Sequence, residues 1–125
     1  MAESVGLPVV VLIGTVLAFV LGGGYYGALA DRLPRPAEAV PRWTYAIELL
    51  RCLVLATVVV GLAAVSDVDS WWAGLLLGFV LWMGFPLVLW TGAILHERTP
   101  VATAVLHGGD WLIKLLALGL LAGLR

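Results

Sequence analysis

A chain of 125 residues has room for one domain, and 62% of it is hydrophobic against 12% charged, roughly half the charged share of a soluble domain. That apolar excess excludes an ordinary water-soluble fold, and a net charge of -1 without clustered Lys and Arg argues against nucleic acid as a partner. Cys52 is the one cysteine, so an intrachain disulfide is excluded and the residue reads as a small core hydrophobe.

The first apolar stretch covers residues 7–30, long enough at about 1.5 Å per residue to cross a hydrocarbon core of about 30 Å. Within it, Gly14, Ala18 and Gly22, and then Gly23 and Gly27, recur at the four-residue spacing that lets helix backbones approach closely. Ala28-Leu29-Ala30 resembles a signal-peptidase site, but no positive charge precedes the run and the run exceeds a signal core, so a retained helix is expected. Asp31, Arg32, Pro34, Arg35, Pro36 and Pro41 end the helix and form a polar connection.

The second stretch, residues 43–65, carries Thr44, Glu48, Arg51 and Cys52 on one helical face, with Thr57 and Gly61 as a further small pair. Ser66-Asp67-Val68-Asp69-Ser70 reads as a tight turn, with Ser70 a candidate N-cap. The third stretch, residues 71–95, contains Gly74 and Gly78 and a predicted kink at Gly84 and Pro86. After His96-Glu97-Arg98-Thr99-Pro100, the fourth stretch covers residues 101–124, with His107, Asp110, Trp111 and Lys114 on one face and Gly119 and Gly123 beyond them. The fold class is therefore all-α: one integral membrane four-helix bundle over residues 1–125, made of two antiparallel helical hairpins.

Orientation follows from the basic residues. Arg32, Arg35, Arg42 and Arg98 fall in the first and third connections, whereas the N-terminal segment has Glu3 and the second turn has Asp67 and Asp69. Both termini are thus expected on the non-cytoplasmic side of a cell inner membrane. Trp71 and Trp72 then mark the outer interface, and Tyr25, Tyr26, Trp43, Tyr45 and Trp90 the inner one.

The most informative residues are the charges within the spans. Glu48 and Arg51 in the second helix and Asp110 and Lys114 in the fourth lie at similar depths, and an unpaired charge at a helix centre costs about 2.5–3.5 kcal/mol on insertion scales. Either Glu48 with Lys114 or Arg51 with Asp110 is expected to pair across the bundle. The cluster, with His107, is read as a polar cavity open to the cytoplasm and lined further by Tyr25, Tyr26, Thr44 and Trp111, or as an ion-pair staple fixing helix register. His96 and His107 lack paired-ligand spacing, so no metal is assigned. The absence of a phosphate loop or nucleophile elbow likewise leaves no cofactor assigned.

Three segments carry a family resemblance. Phe19-Val20-Leu21-Gly22-Gly23-Gly24-Tyr25-Tyr26-Gly27, Gly78-Phe79-Val80-Leu81-Trp82-Met83-Gly84-Phe85 and Glu97-Arg98-Thr99-Pro100 resemble the bacterial membrane family catalogued as domain of unknown function 1761, with Tyr25 where a tryptophan is expected. The resemblance implies a four-helix membrane protein and supplies no activity.

Function is thereby narrowed to two main expectations. One is a carrier or binding protein for a proton, ion or small amphiphile, working through the polar cluster. The alternative is a noncatalytic interaction or assembly subunit that self-associates through its small-residue faces as a homodimer or higher homo-oligomer. Catalysis by His107 with Asp110 ranks third, because nothing fixes a nucleophile or a substrate pocket.

Overall fold

The computed structural model describes residues 6–29 and 41–125. Glu3, Ala30 of the candidate cleavage site, and Arg32 and Arg35 of the first connection lie outside them. The described residues form α1 (Leu7–Ala28), α2 (Arg42–Val65), α3 (Trp71–Gly84), α4 (Pro86–Glu97) and α5 (Val101–Leu124), with no strand among them. Four spans are long and apolar enough to cross a membrane, α3 and α4 together making the third. This is an all-helical, multi-pass membrane protein.

Proline stands at the starts of α1, α2 and α5, as Pro86 does at that of α4. Pro8 sits in the first turn of α1, where a missing N–H is harmless, and the carbonyls of Pro41 and Pro100 accept from Thr44 and Ala104 at 3.0 and 3.1 Å. Ser70 occupies the N-cap of α3 in an extended conformation, but its hydroxyl makes no capping bond; its backbone carbonyl accepts the Gly74 N–H instead. Asp67 closes α2 at φ 57°, letting the Val68 N–H return to the Ala63 carbonyl at 2.9 Å. The third predicted span runs on to Glu97, which places His96 in the last turn of α4 and not in a loop.

The expected kink at Gly84 and Pro86 is a break in one continuous span. Pro86 has no N–H to give the Trp82 carbonyl, and its ring crowds that carbonyl, so regular geometry stops at Phe85. Phe85 N–H still donates to Leu81 at 3.1 Å and the Phe85 carbonyl still accepts from Leu89 at 2.8 Å, so the chain continues in the same general course.

The four-residue ladders divide into those that meet a neighbour and those that do not. Gly74 and Gly78 of α3 face Gly119, Gly123 and Leu115 of α5 so closely that a methyl group on any of the four glycines would strike backbone carbonyl oxygen. Gly14 packs on Leu118, Ala56 and Leu121, and Ala18 is fully buried with Cys52, Ala56, Val59 and Leu118. By contrast Gly23, Gly27 and Gly61 have open space where a Cβ would stand, so among the described residues no neighbour crowds these members of the expected packing set. Spacing alone does not say which side of a helix meets a partner.

α5 is the hub, touching each of the other four helices, while α2 and α4 make no direct contact among the described residues. At one end, Arg125 donates from Nη1 to the Val68 and Ala122 carbonyls at 2.7 and 2.6 Å, tying the end of α5 to the α2–α3 turn. Leu12, Val16, Val20, Val54, Val80 and Leu89 point outward and are exposed, which suits lipid and not water.

Candidate functional site

The charged residues form one chain of alternating sign across two helices. Asp110 and Lys114 are one turn apart on α5, and Lys114 Nζ lies 3.0 Å from Asp110 Oδ2, with the acid N-terminal to the base as the helix favours. Nζ also lies 3.6 Å from Glu48 Oε1 on α2. The other Glu48 oxygen, Oε2, accepts from Arg51 Nη1 at 2.6 Å. Of the two cross-bundle pairings foreseen, the structure makes Glu48 with Lys114; Arg51 turns to Glu48 and not to Asp110, because Glu48 lies one turn away on the same face. Burial is graded along the chain: Asp110 and Lys114 side chains are 7% and 9% exposed, Glu48 34% and Arg51 62%. The cluster thus runs from the bundle interior to the lateral opening.

α1 accommodates the buried half by lacking a side chain. A methyl group on Gly22 would stand 2.8 Å from Lys114 Cε and 3.0 Å from Nζ. Gly22→Ala is therefore expected to displace the ammonium from Asp110 and to destabilise the protein by about 1–2 kcal/mol, the range of modest overpacking. Gly23→Ala, pointing into open space, is the matched control. Thermal unfolding of the two variants checks this: equal midpoints would remove Gly22 from the site.

A second, aromatic group lies nearer the start of α5. Tyr26 Oη and His107 Nδ1 are 2.6 Å apart, and the His107 ring stacks on Trp90 with centroids 5.0 Å apart. Tyr25 donates to the Leu106 carbonyl at 2.7 Å, and Trp82 Nε1 donates to the Gly108 carbonyl at 2.9 Å. The hydrogen bonds strap α1 and α3 to α5, and the Trp90 stack adds α4. Gly109 leaves room for the Tyr25 hydroxyl.

The residues foreseen as one site therefore occupy two places. Glu48, Arg51, Lys114 and Trp111 line a cavity of about 420 Å³ with Cys52, Leu55 and Val58. Tyr25, Tyr26 and His107 do not line it; they belong to the aromatic strap. Thr44 is half-buried in the first turn of α2 and makes no side-chain hydrogen bond to the cluster among the described residues. Among those residues, too, no group of three His, Cys, Asp or Glu side chains stands ready to hold a metal.

Leu55, Val58 and Trp111 also wall a second, larger cavity of about 620 Å³, bounded by Leu81, Phe85, Pro86 and Leu89. A charged chamber and an apolar groove thus share one wall, at the opening left between α2 and α4. Leu55, Val58 and Leu89 carry no sign of this in the sequence, since they are ordinary spanning residues; Pro86 was the one hint. Volumes of this size fall in the ordinary range of small-molecule sites, about 300–1,000 Å³.

The profile of a family described as proteins of unknown function (DUF1761) matches residues 9–123. No curated protein and no solved structure matches the chain.

Proposed function

We propose, from the premise that the chain belongs to the DUF1761 family of proteins of unknown function, that it is a binding or carrier protein for a small amphiphile taken up sideways from the bilayer. The observation that carries this reading is the shared wall: Leu55, Val58 and Trp111 join the Glu48–Arg51–Lys114 chamber to the apolar groove at the helix break. A polar head at the charges and an apolar tail along the groove would each meet matching chemistry. Entry between α2 and α4 needs no aqueous pathway.

The basic residues Arg42 and Arg98, with Arg32 and Arg35, support a cytoplasmic placement of the end that carries the first and third connections. Both termini then lie outside, in a bacterial inner membrane. The open faces of Gly23, Gly27 and Gly61 favour a second reading, self-association as a homo-oligomer or docking to a larger assembly.

Native mass spectrometry of the gently extracted protein tests the first reading. A small amphiphile is expected to be retained by the unaltered chain and lost from Val58→Trp, whose indole would obstruct the junction of the two cavities from an exposed position. A bare oligomer, or equal retention by the variant, would favour the assembly reading.

A further inference from the structure

Resting on the amphiphile-binding reading, we infer that the occupant is a single-chain amphiphile with an anionic carboxylate or phosphate head, and that Arg51 holds that head. The polar capacity left open in the chamber is mostly that of donors. Glu48 is already shared by two cations, with Oε1 3.6 Å from Lys114 Nζ and Oε2 accepting from Arg51. Lys114 lies between Glu48 and Asp110, and Asp110 does not line the chamber. Arg51, in contrast, gives Nη1 to Glu48 and keeps the rest of its fork of N–H donors unbonded among the described residues. A quaternary ammonium head would meet two cations beside a carboxylate they already share; an anion would meet the fork.

Depth points the same way. Arg51 follows Arg42, the first residue of α2, by nine positions, or roughly 14 Å along the axis at about 1.5 Å per residue. A guanidinium exposed at that depth is unfavourable against hydrocarbon. Glu48 offsets its charge, but Glu48 is shared with Lys114, leaving Arg51 the least compensated member of the cluster. An anion that brings its own alkyl chain satisfies the exposed donors, and the chain follows Leu55 and Val58 past Trp111 toward Leu81 and Leu89. The one apolar groove that adjoins the charges, about 620 Å³, is matched to one chain.

The test uses the full chain in phosphatidylcholine nanodiscs, with dodecyl phosphate, dodecanoate, dodecanol and dodecyltrimethylammonium as probes and binding read by native mass spectrometry. Both anions are expected to bind about tenfold or more tighter than the other two, as a charge-assisted bond implies. Arg51→Gln is expected to abolish the preference, Arg51→Lys to restore part of it, and Val58→Trp to weaken all four probes alike. Equal binding of the four heads, or an anion preference that survives in Arg51→Gln, overturns the assignment of the head while leaving the amphiphile reading intact. Binding of none, or indifference to Val58→Trp, overturns the amphiphile reading itself. Displacement of dodecyl phosphate by an equal concentration of two-chain phosphatidate would overturn the single-chain assignment.

Discussion

Lys114→Met is expected to destabilise the bundle by about 3–5 kcal/mol, the penalty for removing one partner of a buried ion pair. Methionine keeps the length and apolar stem of lysine, so packing against α1 at Gly22 is retained and the loss is electrostatic. What remains is the Asp110 carboxylate, 7% exposed, with Oδ1 already lacking a hydrogen-bond partner, and a Glu48 carboxylate neutralised by Arg51 alone. Asp110→Asn by itself should be milder, because Lys114 keeps Glu48 at 3.6 Å. The double variant Asp110→Asn with Lys114→Met should recover much of the loss, since no unpaired buried charge is left on α5. Reversible unfolding in mixed micelles measures the cycle. Additive single effects would mean that the two side chains do not interact.

Gly119→Val is expected to be at least as damaging, about 3 kcal/mol or more, beyond the usual 1–3 kcal/mol of overpacking. The new side chain would enter the Gly74 backbone, with its first carbon also 3.0 Å from the Gly74 carbonyl carbon and 3.2 Å from the Gly78 nitrogen. Backbone atoms cannot rotate aside as a side chain does, so α3 and α5 must separate. Because α5 touches every other helix, their separation loosens the whole bundle. Gly23→Val, with nothing within 4 Å of its Cβ, should leave the folded monomer unchanged. Comparing the yield of folded protein and the melting midpoint for the two valine variants separates close packing from a general intolerance of valine.

Much of the fold was legible because lipid imposes a simple rule: a spanning segment must be long, apolar and helical. Hydropathy located the four spans, and the fixed φ and missing N–H of Pro86 located the break in the third. The charged cluster was legible for a related reason, since α2 and α5 start from the same end of the bundle and charges within their spans seek partners. Helical phase, however, gives only the face of a residue on its own helix. It does not give the rotation of one helix against another, so it could not choose between Arg51 and Glu48 as the partner across the bundle, or tell that Gly14 and Gly22 face neighbours while Gly23 and Gly27 do not. The same limit merged Tyr25, Tyr26 and His107 with the charges, although they form a separate strap. The groove was least legible of all. It exists because, among the described residues, the α2 and α4 backbones stand apart, a property of the assembled bundle that no single residue along Leu55, Val58 or Leu89 encodes.

Lys114 is the sole lysine of the chain, so ¹⁵N-lysine labelling marks one ammonium without ambiguity. Combined with ¹³C-labelled aspartate and glutamate carboxylates, a solid-state NMR dipolar-recoupling measurement in bilayers reads the distance from that nitrogen to its neighbours. Two carboxylate carbons, one from Asp110 and one from Glu48, are expected within about 4–5 Å, as ion pairs require. A lysine nitrogen with no carboxylate carbon closer than about 8 Å, twice that separation, would contradict the site at its centre.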